Sequence, residues 1–471
     1  MKTIKLLSYV LILTLAHQGL AQIRGALRDG QGRHVIPRGF VVNTNDHVGP
    51  VEFNADDFAR MVRLGANYQV VRLELGRLST YPGYQFEPSY LDKLERLVRL
   101  GREAGIKTVF KMTVYTVKGF SWEDFWANED NEQDIYLQAW RHVWKRFKDE
   151  PAVVAYDLVN EPRKLTMEIS YTDLTNKHLI PLYERLIDEA QMISADKLYL
   201  CQTIFMNKGE AINHNQYAEI TKPIKRDGVV FSPHIYQDKI ELIEPIMRRF
   251  EKEALMLDAP ILIGEWGFPT YESADTSVEE QLAYIEMYVR TAEVFDAMGV
   301  GSIKAWFLGN RTMQDFLPGG RSTWAIFSDE VAAGTVERKY ITDVIARPYP
   351  QTIAGDIHSF MFNHATRVLD FKITPDNSTG ASRIFVAADR HYPDGFSIHC
   401  GDDLVLCYNP LNAKGIEVIK AGASTNPSDF IWNPATQQLI VLRWPVDGEE
   451  LTVKIVPGIA VVESLRLAEG N

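Results

Sequence analysis

The sequence predicts a (β/α)8 barrel of the TIM type followed by a small C-terminal antiparallel β-sandwich, and three observations predict it. Between residues 35 and 310, short apolar runs alternate with amphipathic stretches, the mark of βα units and a parallel sheet. Two of those runs end in a glutamate: Glu161 in Tyr156-Asp157-Leu158-Val159-Asn160-Glu161-Pro162 and Glu265 in Ile261-Leu262-Ile263-Gly264-Glu265-Trp266-Gly267. Each carboxylate therefore sits where a buried strand gives way to a loop. After Pro348-Tyr349-Pro350 the helical periodicity stops, and short β-type runs follow, separated by Gly, Asn, Asp and Pro.

In chain order, residues 1–21 read as a signal peptide. Lys2 and Lys5 form its positive end, Leu6 to Ala16 its apolar stretch and Gly19-Leu20-Ala21 its cleavage site. The apolar stretch is too short to cross a bilayer, and no later segment is apolar enough to be a membrane helix. The mature chain is expected to begin near Gln22 and to be secreted or periplasmic in a bacterium. The barrel, residues 22–345, takes eight strands: Gly39 to Val42, Tyr68 to Leu73, Thr108 to Met112, Val153 to Val159, Leu198 to Thr203, Val229 to Ser232, Ile261 to Gly264 and Ser302 to Phe307. Between them, Tyr90 to Ala104, Ile135 to Lys148, Leu179 to Ser194 and Val278 to Met298 repeat apolar residues at three and four, as helices packed on a sheet do. Eight alternations over about 280 residues suit a closed barrel better than an open sheet.

The sandwich, residues 346–471, takes strands at Thr366 to Ile373, Ser382 to Ala388, Gly395 to Cys400, Leu404 to Tyr408, Gly415 to Lys420, Gln438 to Arg443 and Leu451 to Val456. No flexible linker precedes it, so it is expected to pack on the barrel. A chain of 471 residues has room for both domains. A hydrophobic fraction of 46% with 24% charged residues describes a soluble globular protein, and a net charge of -12 argues against nucleic acid as a partner. With three cysteines, disulfides are not a main source of stability. Cys201 reads as a small buried hydrophobe. Cys400 and Cys407 flank a hairpin turn that would set residue 400 opposite about residue 404, which disfavours a bridge between them.

Polar residues map onto the strand exits as a set: Arg72 on strand two, Asn160 and Glu161 on four, His234 and Tyr236 on six, Glu265 on seven and Trp306 on eight. The exits form the catalytic face of such a barrel. Two carboxylates converging there are what glycoside hydrolysis needs, one to protonate the leaving oxygen and one to attack or to activate water. An isolated Glu at a strand end more often caps a helix or pairs with an arginine; the neighbours are what overturn that reading. His234 either touches a sugar or is a satisfied residue behind the site. Trp306 is either a stacking platform or core, and Trp122, Trp126, Trp266, Tyr271 and Trp324 are open between groove and core. Glu161, His234 and Glu265 have metal-ligand composition, but no closely spaced His pair supports a metal, so neither metal nor other cofactor is expected.

On these residues the barrel resembles glycoside hydrolase family five, through Asn-Glu-Pro, His-x-Tyr and Gly-Glu-Trp-Gly in the right order. The resemblance implies retention, with the carboxyl groups roughly 5 to 5.5 Å apart. It implies Glu265 as nucleophile, its ionised state favoured by Arg72 through charge and by the Tyr236 hydroxyl. Glu161 would be acid and then base, its pKa raised by the neighbouring negative charge, and Asn160 would donate to the sugar 2-hydroxyl. Family members usually carry a His at the exit of strand three, where this chain reads Phe110-Lys111-Met112-Thr113-Val114-Tyr115; Thr113 or Tyr115 is the candidate replacement.

The tail sharpens the resemblance. Ala346-Arg347-Pro348-Tyr349-Pro350-Gln351-Thr352-Ile353-Ala354-Gly355, with Arg383-Ile384-Phe385-Val386 and Arg390-His391-Tyr392-Pro393-Asp394-Gly395-Phe396, is similar to the junction and sandwich of the endoglycoceramidases within this family. Those enzymes cut between an oligosaccharide and ceramide, so the resemblance implies a carbohydrate or glycolipid substrate. Two alternatives stand beside it: a retaining endo- or exo-glycosidase on β-linked glucan or mannan, and an inactive carbohydrate-binding protein, the latter motivated by the missing His.

Overall fold

A computed structural model of the chain describes residues 26–42, 53–114, 117–205, 220–236, 239–267, 270–271, 278–307, 322–323, 326, 337–411, 416–417 and 426–458. The expected signal segment, Tyr115, Trp324 and the Tyr271 side chain lie outside the described residues.

The barrel strands are, in order, Arg38–Val42, Tyr68–Glu74, Lys107–Thr113, Val153–Asp157, Leu198–Cys201, Val229–Phe231 with His234–Ile235, Leu262–Trp266 and Gly301–Lys304. Neighbours pair in parallel, and strand eight returns to strand one with Ser302 opposite Arg38. Strand six comes in two halves because Pro233, which has no N–H to give a ladder, interrupts it. Its first half bridges to strand seven through Phe231 and Ile261, and its second half pairs His234 with Glu265, so the sheet closes into eight strands.

One inward residue per strand fills the barrel: Val41, Val70, Val109, Ala155, Leu200, Val230, Leu262 and Ile303 form a separate apolar cluster. Small branched side chains suit this narrow, tapering space. The helices cover the outside; Glu132–Phe147, for example, buries Trp140 and Trp144 against Tyr156 of strand four. Among the described residues, no helix is long and apolar enough to cross a membrane.

The C-terminal part is a sandwich of two antiparallel sheets. One orders His34–Val35, Tyr349–Ile353, Ser382–Phe385, Gln438–Val441 and Phe430–Asn433; the other orders Gly355–Asn363, Val368–Pro375, Leu451–Pro457, Phe396–Cys400, Asp403–Tyr408 and Ile416–Glu417. Alternate residues such as Leu369, Phe371 and Ile373 turn inward and are fully buried, each stabilising the sheet pair by roughly 1.5–3 kcal/mol. Sequence patterning missed Gly355–Asn363 and Phe430–Asn433, and it missed that His34–Val35, ahead of the first barrel strand, pairs with Tyr349–Ile353. A two-residue strand is too short to show a period. The hairpin at Gly401-Asp402 is tighter than expected: Cys400 stands opposite Asp403, not 404, and Cys407 opposite Ser397. No disulfide joins the three cysteines, all of which are buried.

The two parts meet over a buried ionic seam. Asp296, at the end of helix Val278–Met298, accepts from Arg38 Nη2 and Arg347 Nη2 at 2.6 Å each and from Arg347 Nε at 2.9 Å. The Arg38 guanidinium stacks 3.8 Å above the Tyr349 ring, and Tyr349 donates its hydroxyl to Gly65 O at 2.7 Å.

Candidate active site

On the strands that line the barrel, the inward position two residues beyond the aliphatic layer changes character. Val70 is followed by Arg72, Val109 by Lys111, Ala155 by Asp157 and Leu200 by Gln202. These polar residues are buried, Lys111 and Asp157 completely. A charge at such depth must be paired, and the pairing converges on Glu265 of strand seven. Lys111 Nζ lies 2.8 Å from Glu265 Oε1 and 3.3 Å from Asp157 Oδ2, while the Tyr236 hydroxyl donates to Glu265 Oε2 at 2.5 Å.

Burial alone would push the Glu265 carboxyl upward. Lys111, by its charge and its hydrogen bond, together with the His234 imidazole and the Arg72 guanidinium, overcomes it and holds the group at about 2. Glu265 is thus a carboxylate at neutral pH. The Tyr236 hydroxyl is driven well above its ordinary value by burial and then by Glu265 and Glu161, so it stays a donor. Burial also raises Asp157, against the pull of Lys111 and His234.

Glu161 stands just past strand four with φ of 45°, the left-handed region, which disfavours a side-chain-bearing residue by about 1–2 kcal/mol. Its carboxylate is fixed on one side by His234, whose Nδ1 is 2.8 Å from Oε1, and approached on the other by Arg163 Nη2 at 3.5 Å from Oε2. Its backbone N–H donates to Gln202 Oε1 at 3.3 Å. An oxygen of Glu161, one of Glu265 and a ring nitrogen of His234 lie within 4.8 Å of one another. That spacing would admit a metal ion, but the Lys111 ammonium at 2.8 Å from Glu265 already supplies the cation there.

The remaining expected residues surround this pair. The Arg72 guanidinium carbon sits 4.7 Å from the Trp306 ring centroid, so the half-buried indole faces the site and not the core. The Asn160 Oδ1 is buried and has no hydrogen-bond partner among the described residues. The glycine before Glu265 is required by packing: a Cβ on Gly264 would fall 2.4 Å from Ser232 Oγ and 3.0 Å from Ser232 O.

Some expectations are corrected. Thr113 does not replace the missing strand-three contact; it is fully buried and gives its hydroxyl to Leu73 O at 2.8 Å. Trp122 and Trp126 are core, stacked on each other, with Trp126 donating to Arg163 O at 2.8 Å and so propping the loop after Glu161. Trp266 is buried against Tyr288 and Phe295. Sequence reasoning missed Lys111, Asp157, Gln202 and Arg163. The signal was present for the first three, because each is a polar residue two places beyond an inward aliphatic in a strand buried on both faces.

Comparison with known proteins agrees with this architecture. Residues 31–297 match the family described as Cellulase (glycosyl hydrolase family 5), and residues 347–455 match the glycoside hydrolase family 5 C-terminal domain. Among solved structures, endo-glycoceramidase II from Rhodococcus sp. is similar at 21% identity and a TM-score of 0.67, over 92% of this chain and 100% of that one. The same protein has been captured in a ganglioside GM3 complex and as a lactosyl-enzyme intermediate. An endogalactoceramidase is similar at 17% identity and a TM-score of 0.64, over 92% of this chain and 99% of that one. Sterylglucosidase 1 of Cryptococcus neoformans is similar at 10% identity and 0.64, over 94% and 97%. No curated protein matches the chain in sequence.

Proposed function

The chain belongs to glycosyl hydrolase family 5, and from that membership we propose a retaining β-glycosidase, exported by its N-terminal segment, that acts on a glycolipid-type β-glycoside. Glu265 attacks the anomeric carbon while the carboxylic acid of Glu161 protonates the departing oxygen. Water, losing a proton to Glu161, then displaces Glu265 from the sugar. The observation that carries this reading is the approach of a Glu161 oxygen and a Glu265 oxygen to within 4.8 Å. A covalent glycosyl-enzyme needs carboxyl groups about 5–5.5 Å apart, whereas direct attack by water needs about 6.5–9.5 Å. Asn160 and Trp306 would hold the sugar, the first by hydrogen bond and the second by stacking.

Two observations favour a glycolipid over a polysaccharide. The likeness to the ceramide-releasing enzyme runs through the sandwich as well as the barrel. Among the described residues, the tryptophans named as candidates for the wall of a long cleft, Trp122, Trp126 and Trp266, are core.

The test is a hydrolysis screen of glycosphingolipids, gluco- and mannooligosaccharides and nitrophenyl glycosides, with the anomer of the first product read by NMR. The β-anomer from glycosphingolipid is expected; turnover of oligosaccharides alone would move the substrate to glucan or mannan. Glu265→Ala should lose turnover by about 10⁴-fold or more and recover part of it with azide, giving the inverted glycosyl azide. Glu161→Ala should keep far more activity on nitrophenyl than on natural glycosides, since a good leaving group needs no proton. An active Glu265→Ala protein without azide would sink the mechanism.

A further inference from the structure

Lys111 occupies the middle of strand three, where the barrel could have held an apolar side chain, and its surroundings restrict what every neighbour can be. An ammonium has three N–H donors and no acceptor. Its Nζ lies 3.1 Å from His234 Nε2, besides 2.8 Å from Glu265 Oε1 and 3.3 Å from Asp157 Oδ2. The nitrogen of His234 that faces it must therefore be the lone pair.

A second donor reaches the same nitrogen independently. The Gln202 amide is oriented by the Glu161 backbone N–H, which needs its oxygen, so Gln202 Nε2 is turned to Asp157 Oδ1 and to His234 Nε2, each at 3.3 Å. Two donors on Nε2 place the imidazole proton on Nδ1. That N–H points at Glu161 Oε1, 2.8 Å away. With Oε1 accepting from histidine at 2.8 Å, the proton that Glu161 carries as an acid belongs on Oε2, whose remaining lone pair meets only the longer contact from Arg163 Nη2 at 3.5 Å.

We propose that Lys111 is a positioning residue that couples the two glutamates: it grips Glu265 by Oε1 and, by holding His234 as the neutral Nδ1–H form, directs the transferable proton of Glu161 to Oε2. The inference rests on the roles given above to Glu161 and Glu265. Glu265 is faced by Lys111 from strand three, by Arg72 from strand two, and by His234 and Tyr236 from strand six. Asp157 and Glu161 approach from strand four and its exit, and Lys304 of strand eight acts on it through charge. Removing Lys111 takes away the largest of the interactions that hold Glu265 down, ahead of those from His234 and Arg72.

The experiment has two arms on the full chain. In the first, ¹⁵N-histidine NMR, with the His234 signal assigned by its loss in His234→Asn, should show Nδ1 protonated and Nε2 bare near neutral pH. Lys111→Met should turn that signal toward the other tautomer or the imidazolium. A protonated Nε2 in the unaltered chain overturns the proposal, whether or not any variant folds. In the second arm, the acidic limb of kcat/KM should move up by about one to three pH units in Lys111→Met and part of the way back in Lys111→Arg. A limb that stays put in a folded Lys111→Met protein overturns it too. If the unaltered chain hydrolyses no glycoside, the proposed activity has failed, and the NMR arm still decides the role of Lys111.

Discussion

Two buried clusters of charge hold this chain together, one above the aliphatic layer of the barrel and one at the seam with the sandwich, and they are built on opposite logic. At the seam the anion is enclosed: Asp296 takes three N–H groups from two arginines, and further guanidinium N–H groups end on the carbonyls of Ala292 and Arg347. In the site the cation is shared out instead. Lys111 spreads over Glu265, Asp157 and His234, and the imidazole stands between it and Glu161. Burial of charge alone does not mark a catalytic centre, since both clusters have it. What marks the site is two carboxylates brought close to each other, one of them held in left-handed backbone.

The largest effect that would test this contrast is removal of the sandwich. A chain truncated after Ile345 loses Arg347, the Tyr349 bond to Gly65 and the partner strand of His34–Val35. It should be insoluble or unfold at a much lower temperature. A soluble, fully active barrel, with an isolated tail that binds glycan or lipid by itself, would break the seam argument. Next comes an exchange of single charges. Asp296→Ala strands two buried guanidiniums and should destabilise the chain by about 3–5 kcal/mol, read by denaturant unfolding, with activity lost only in proportion to unfolding. Glu265→Gln should abolish turnover and cost less stability than Asp296→Ala, because Lys111 keeps Asp157 as a partner.

The two clusters should also part company in acid. His391 and His364, at the seam, are held down to about 4 and about 3 by burial first and by nearby arginines; His34, where the N-terminal strand docks, is likewise near 4. For a group depressed by folding, the unfolded chain binds the proton first. The stability from these histidines is therefore complete above about pH 6.5 and is lost as pH falls toward 4, at roughly 3 kcal/mol for His391 over that interval. Glu265, held near 2, gives stability that is complete above about pH 4.5 and disappears only toward pH 2. Unfolding midpoints measured across pH should fall first in the upper window, and His391→Gln should flatten that part of the curve. A single loss confined below pH 4.5 would refute the assignment to the seam.

The sequence was legible where one residue type solves one local problem. The eight strands, the exit positions of Glu161, His234, Tyr236 and Glu265, and the patterned strands of the sandwich follow from periodicity and motif order. The part that was not legible depends on register across strands. That Lys111 meets Glu265 requires strands three and seven to face each other across the closed barrel, 154 residues apart in the chain. Thr113 looked like the replacement for the missing histidine because it holds the same place in the motif, yet its hydroxyl is used up on Leu73. The ownership of His34–Val35 by the sandwich is a long-range pairing that no local window carries.

The smallest predicted effect isolates the contrast most cleanly, because the same methyl group is added in both places. At Gly65, with φ of 86°, a Cβ would meet the Phe385 ring at 2.8 Å. Phe385 is fully buried in the sandwich and has no room to retreat, so Gly65→Ala should cost about 1–3 kcal/mol of stability. It lies outside the polar layer, and kcat measured well below the unfolding temperature should be unchanged. At Gly264 the added Cβ would fall 2.4 Å from Ser232 Oγ and 3.3 Å from His234 Cδ2. The stability loss should be similar, but Ser232 O and the His234 ring are among the crowded atoms, so part of the relief moves the half-strand that carries His234 away from Glu265. A displacement of that kind can reduce turnover by about 10²-fold. Comparing kcat for the two variants at matched fractions folded separates the outcomes: equal losses would mean that seam and site are one mechanical unit, and the distinction between them would have to be abandoned.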